Sequence, residues 1–135
     1  MHIFLDANVL FSAAKSDSAA RQLLSLLTAN GHSLCADAYV IAEARRNLGV
    51  KAGADSTTAL EAVLRSVQVS AVRMANSSPH SSWLPAKDRP VLDAAIAQKC
   101  EALVTGDRAH FGVGYGKSFG GVMLYSPGML AETLL

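Results

Sequence analysis

Two short apolar runs that each lead to a carboxylate constrain this chain more than any other feature. The first is Ile3-Phe4-Leu5, halted by Asp6; the second is Ala102-Leu103-Val104, followed by Thr105, Gly106 and Asp107. A continuous apolar run of this length suits a strand buried on both faces of a parallel sheet, although a buried helix segment shows the same pattern. An Asp at the end of such a run is costly to bury unless it meets a partner, a cation or solvent in a cleft. Asp6 can also be read as the cap of a following helix, and Asn8 as another polar residue that could start one. The repetition favours the cleft. Two buried strands ending in Asp are easiest to understand side by side, with their carboxylates meeting at the carboxyl edge of an open α/β sheet. Such sheets bind ligands there, where the strand order reverses.

The remaining pattern alternates helices and strands. A short helix is expected over residues 9–14. Ser16, Asp17 and Ser18 offer caps for a second helix over 19–29, whose Leu23, Leu24, Leu26 and Leu27 fall on one broad face. Asn30-Gly31 ends it in the manner of a left-handed cap. A strand over 33–36 follows, then Asp37 caps a helix to about 48 with Gly49 after it. Asp55 or Ser56 starts a helix to about 66, and 67–72 alternates weakly as a third strand. Residues 74–87 form one long irregular stretch holding His80 and Trp83, either a functional loop or a surface connection with Trp83 tucked onto the core. Then come a helix over 89–100 with Pro90 in its first turn, a strand over 102–105, a strand over 122–125 and a helix over 127–135. Gly112, Gly114 and Gly116 alternate within 111–119, but the strand–glycines–helix context of a phosphate loop is missing. Alternating strands and helices imply right-handed crossovers and a parallel sheet covered on both faces.

At 135 residues the chain reads as one domain, 1–135, and with 50% hydrophobic and 17% charged residues it is globular rather than disordered. A net charge of +1 excludes a protein that coats nucleic acid non-specifically, so any such contact must be local. Cys35 and Cys100 lack metal-ligand spacing and read as reduced core thiols of a cytoplasmic protein. No secretory leader and no membrane-length apolar run is visible.

Two further carboxylates are placed by helical geometry. Asp88 precedes the helix carrying Leu92, Ala95 and Ile96. At about 100° per residue, Leu92 and Ala95 lie in one narrow sector around its direction, so Asp88 heads the core-facing stripe. Asp93 lies about 140° away and is expected in solvent, outside the site. Glu43 sits at the edge of the stripe formed by Val40, Ile41, Ala44 and Leu48, where it is either a solvated residue or aimed inward across the sheet's carboxyl end. Four carboxylates in one cleft repel strongly unless hard cations sit between them. An all-oxygen set without His or Cys favours Mg²⁺ or Mn²⁺ over Zn²⁺. Such a centre is a common tool for hydrolysing phosphodiesters or phosphoanhydrides.

In this arrangement the chain resembles the PIN-domain ribonucleases, which include the VapC-type toxins of bacterial toxin–antitoxin pairs. The resemblance spans nearly the whole chain. It is carried by Phe4-Leu5-Asp6-Ala7-Asn8-Val9-Leu10, by the stretch from Ala38 to Leu48 around Glu43, and by Lys87-Asp88-Arg89-Pro90-Val91-Leu92-Asp93-Ala94-Ala95. Leu103-Val104-Thr105-Gly106-Asp107-Arg108 and the ending Met123-Leu124-Tyr125-Ser126-Pro127-Gly128-Met129-Leu130 complete it. The resemblance implies a three-layer α/β/α sandwich with a five-stranded, mostly parallel sheet in the order 3-2-1-4-5. It implies Mg²⁺ or Mn²⁺ bound by Asp6, Glu43, Asp88 and Asp107, the catalytic set, with Asn8 and Thr105 in support. It implies cleavage of RNA, an antitoxin protein as a partner, and a tendency to homodimerise. Lys15, Arg45, Arg46, Arg89, Arg108 and Lys117 flank the motifs as candidate phosphate contacts, Lys15, Arg46 and Arg108 foremost. Two rival readings are a Mg²⁺-dependent phosphatase with Asp6 as nucleophile, and an inactive RNA-binding or scaffold domain. The phosphatase usually wants a second Asp where this chain has Asn8.

Overall fold

The computed structural model describes residues 1–15, 18–51, 54–70 and 78–135. Its centre is β1 (His2–Leu5), with Ile3, Phe4 and Leu5 completely buried. Parallel partners lie on both sides: β2 (Ser33–Asp37) and then β3 (Val67–Ser70) on one, β4 (Ala102–Val104) on the other. Beyond β4 come β5 (Ser118–Phe119) and β6 (Val122–Tyr125), giving the order β3-β2-β1-β4-β6-β5. The five strands read from the sequence therefore stand in the expected order, and the sheet gains a sixth. This is β5, a two-residue antiparallel edge strand paired Phe119↔Val122. Its turn is Gly120-Gly121, both with positive φ (58° and 86°), the backbone that a two-residue hairpin demands.

The helices follow the caps. α1 (Ala7–Ala13) starts earlier than expected because Asp6 itself caps it, accepting the Ala7 N–H. α2 (Ala19–Ala29) is capped by Ser18 Oγ, which accepts from Arg21 N, and ends at Gly31 with φ 85°. Leu23, Leu24 and Leu27 are buried, but Leu26 is 51% exposed. It lies about 60° beyond the nearer edge of the sector that the other three span, so it falls outside the buried sector. α3 (Ala38–Lys51) is capped by Asp37, whose Oδ1 accepts the Val40 N–H. It runs through Gly49 instead of stopping there. A helical Gly costs only about 1 kcal/mol, and the packing of α3 on α1 outweighs that.

α4 (Ala54–Leu64), α5 (Arg89–Ala97), the single-turn α6 (Arg108–Phe111) and α7 (Pro127–Leu134) complete the set. α1 packs on α2, α3 and α4, and α2 on α7. Right-handed crossovers from β1 to β2 to β3 run one way along the sheet and that from β3 to β4 runs the other, which puts α5 on the opposite face. Among the described residues no helix is long and apolar enough to cross a membrane.

The cap residues Ser16 and Asp17, the strand end at Ala71-Val72 and positions 74–77 of the irregular stretch lie outside the described residues. The later part of that stretch is ordered by packing. Pro79–Ser81 makes a 3₁₀ turn. Trp83 stacks on Phe119 at 4.7 Å and meets Phe111 edge-on at 6.3 Å, while its indole N–H donates to His80 O. The glycine-rich stretch packs against that indole and forms no phosphate loop: Gly112–Gly114 is a 3₁₀ turn, and a Cβ on Gly114 would sit 2.7 Å from the Trp83 ring. Cys35 and Cys100 are buried free thiols.

Candidate active site

The site lies at the carboxyl edge of the sheet, where β1 and β4 run side by side and the chain leaves them in opposite senses. Asp6 N donates to Val104 O at 3.1 Å, which brings the residues after both strands together. Asp6 is 5% exposed. Its Oδ1 accepts the Ala7 N–H at 2.7 Å, and its Oδ2 accepts Thr105 Oγ1 at 2.7 Å and Asn8 Nδ2 at 3.2 Å. Asp6 thus caps α1 and also lies at the carboxyl edge of the sheet, beside Thr105. Burial pushes its carboxyl up to about 6, the Thr105 and Ala7 hydrogen bonds oppose that rise, and the charges of Glu43 and Asp88 add to it.

Thr105, fully buried, is the hub. Its hydroxyl donates to Asp6 and accepts from Asp107 N at 3.1 Å and from Asn8 Nδ2 at 3.2 Å. Asn8 Oδ1 takes the Gly106 N–H at 2.7 Å, and a Cβ on Gly106 would crowd that same oxygen at 3.3 Å. One hydroxyl and one amide lock together two loops that lie far apart in the chain.

Asp88 stands at the start of α5 yet makes no side-chain cap hydrogen bond to it. Its Oδ2 is shut off from solvent and has no hydrogen-bond partner among the described residues. Burial raises its pKa and the charge of Asp107 adds to this, while His110 and Lys87 pull the other way. Tyr39 of α3 donates to Lys87 O at 2.7 Å, tying α3 to the residue before Asp88. Glu43, half-buried on the same helix, faces this region closely enough for its charge to raise both Asp6 and Tyr39.

Asp107 caps α6 through Oδ1, which accepts the His110 N–H at 3.2 Å. Its Oδ2 lies 2.9 Å from His110 Nδ1, and the same nitrogen is 3.0 Å from Asp88 Oδ2. Asp88, Asp107 and His110 offer one ligand atom each, all within 4.8 Å of one another. Reading the sequence for carboxylates passes over His110. Its signal is the i, i+3 spacing from Asp107, which puts both on one face of a helical turn.

The other residues divide. Asp93 is 4% exposed, not solvated: its Oδ1 accepts Ser78 N at 3.2 Å, because the stretch around the 3₁₀ turn covers that side of α5. It bonds to that stretch and does not join the acids. Arg89 is engaged by main-chain carbonyls of Leu84 and Ser82, and Arg45 by Glu61 at 2.7 Å. Lys15, Arg46, Arg108 and Lys117 are exposed, with the Lys15 ammonium 4.6 Å from the centre of the Phe11 ring.

A family profile described as a PIN domain matches residues 2–109. Among solved structures, the chain is similar to one in VapBC2 from Rickettsia felis bound to a DNA fragment from their promoter, with TM-score 0.64 and 17% identity over 93% of this chain and 98% of that one. It is also similar to a chain in FitAB bound to an IR36 DNA fragment, with TM-score 0.54 and 15% identity over 93% and 94% of the two chains. At these identities the likeness is one of fold. A search of curated proteins gives no match.

Proposed function

The chain belongs to the PIN-domain family of nucleases, and from that premise we propose that it is a Mg²⁺- or Mn²⁺-dependent endoribonuclease with Asp6, Glu43, Asp88 and Asp107 as its catalytic, metal-binding set. The observation that carries this reading is Asp88 Oδ2, a buried carboxylate oxygen with no hydrogen bond among the described residues and only the His110 Nδ1 contact at 3.0 Å, beside a second carboxylate. A buried acceptor without a hydrogen bond costs about 1–3 kcal/mol, and a divalent cation held between it and Asp107 offsets that cost. The oxygen-rich donor set fits a hard ion.

When bound, the cation polarises a phosphoryl oxygen and eases deprotonation of the attacking water. The protein's own residues prepare the place. Asp6 is held in one rotamer by three donors, and Thr105 fixes it relative to the Asp107 backbone. Asn8 braces the turn at Gly106. Because Asn8 is engaged as both donor and acceptor in that turn, it offers no second acid beside Asp6, which weighs against a phosphatase using Asp6 as nucleophile. Exposed Lys15, Arg46 and Arg108 are suited to contact the phosphate backbone of an RNA. The similarity to chains solved in the VapBC2 and FitAB complexes supports the further reading that an antitoxin-like protein restrains this one.

Labelled single-stranded RNA incubated with chelator, Mg²⁺ or Mn²⁺ tests the proposal. Wild type should cleave only with metal, and Asp88→Asn should be at least about 100-fold slower while melting as a folded protein. Cleavage that persists in chelator, or equal rates in wild type and variant, overturns the assignment.

A further inference from the structure

Resting on that metal-dependent reading, we infer that His110 is an additional ligand of the same centre, and that its imidazole makes the site prefer a divalent transition ion such as Mn²⁺ over Mg²⁺. The argument is geometric. His110 Nδ1 lies 3.0 Å from Asp88 Oδ2 and 2.9 Å from Asp107 Oδ2. Adjacent ligand atoms of an octahedral ion with arms of about 2.1 Å are about 3.0 Å apart. Each oxygen therefore already stands from the nitrogen at the spacing of neighbouring corners of such a shell, and the three residues offer ligand atoms all within 4.8 Å of one another.

Hydrogen bonding alone does not account for this arrangement. One ring nitrogen carries at most one proton. That nitrogen is hydrogen-bonded to Asp107 Oδ2, while Asp88 Oδ2, just as near and out of contact with solvent, has the charge contact with the same nitrogen but no hydrogen bond among the described residues. A cation in front of all three atoms satisfies both carboxylates and the nitrogen lone pair at once, with the ring proton moved to Nε2. The backbone that carries the ring is also held, since His110 N is anchored to Asp107 Oδ1 within α6. Mg²⁺ demands oxygen ligands and dehydrates reluctantly, whereas imidazole gains affinity along the transition series. A single nitrogen in an otherwise acidic shell is thus a selectivity device.

The test measures metal binding directly. Mn²⁺ and Mg²⁺ affinities are determined by calorimetry for wild type, His110→Ala and His110→Phe, and Mn²⁺-loaded protein is examined by pulsed electron spin resonance for ¹⁴N coupling. The expected result is nitrogen coupling in wild type that vanishes in both variants. Mn²⁺ affinity should fall at least about tenfold, the lower end of what losing one ligand or its support costs, while Mg²⁺ affinity changes less than about threefold. If the variants bind Mn²⁺ as well as or better than wild type, or if wild-type Mn²⁺ shows no nitrogen coupling, His110 only bridges the two acids and the ligand assignment is overturned. That result leaves the four-acid site standing. If wild type binds neither ion, the metal-dependent reading falls together with this one.

Discussion

Asp6 accepts three hydrogen bonds and still has its carboxyl pushed up to about 6, because burial outweighs the donors and two neighbouring acids add to it. The sign of the consequence is fixed. A carboxyl whose folded pKa lies above its unfolded value, about 3.9, destabilises the fold when ionised. The effect is absent below about pH 4, grows between there and about 6, and is complete above. When complete it is on the order of 3 kcal/mol. In chelator, lowering the pH from about 7 to about 5 should therefore raise the wild-type melting temperature relative to that of Asp6→Asn, whatever the absolute offset between them. Parallel pH profiles for the two proteins would refute the buried-charge account. Thr105 supplies a short hydrogen bond to that carboxylate and also accepts from Asp107 and Asn8. Thr105→Val keeps the shape and removes the hydroxyl. It should cost about 1–3 kcal/mol in denaturant unfolding and lower nuclease activity, and an unchanged midpoint would show that the hydroxyl is not the hub of the site.

Elements meet most tightly where Trp83 bridges the covering stretch and the glycine-rich one. A Cβ at Gly114 would lie 2.7 Å from the indole, 3.0 Å from Leu124 and 3.2 Å from Phe119. Since all three neighbours are large and the glycine is buried, Gly114→Ala should destabilise by about 1–3 kcal/mol, read as a shifted unfolding midpoint with loss of the ring-environment signal from Trp83. Gly121, where the added Cβ would meet nothing within 4 Å, is nonetheless intolerant for a different reason: its φ of 86° belongs to the hairpin turn. The alternation of glycines that invites comparison with a phosphate loop thus serves a packing contact at Gly114, and the separate pair Gly120-Gly121 makes the tight turn.

Across the whole molecule, Asp6 and Asp107 follow neighbouring strands because the sheet order reverses between β1 and β4. On the proposed four-acid site, the metal-free protein carries the mutual repulsion of those acids as a standing cost. Mn²⁺ at a hundredfold excess over its dissociation constant should stabilise by about 2.7 kcal/mol, several degrees in melting temperature for a domain of this size. Asp88→Asn should shrink that gain and melt slightly higher than wild type in chelator at neutral pH, since it removes a buried charge whose pKa is raised. Indifference of wild type to Mn²⁺ in the melt would remove the chemical basis of the nuclease reading.

Everything that depends on local periodicity and on chain ends is legible in the residues alone. The buried strands at Ile3-Phe4-Leu5 and Ala102-Leu103-Val104 announce themselves as unbroken apolar runs. The caps at Ser18 and Asp37 are equally plain, and so is the place of Asp88 at the head of a buried stripe rather than as a helix cap. Apolar runs and capping side chains act over a few residues, so their signal survives in one dimension. Tertiary packing decided the rest. Asp93 reads as solvated because a helical wheel shows only the core side, and a distant stretch covers its other face. Gly49 reads as a stop because propensity ignores the packing of α3 on α1. His110 carries only the weak i, i+3 spacing from Asp107 as a local signal. It enters the cluster only because α6, a single turn capped by Asp107, sets its ring against a carboxylate far earlier in the chain. The 3.0 Å approach of His110 to Asp88 arises from sheet order and crossover handedness, which bring together atoms that no local pattern connects.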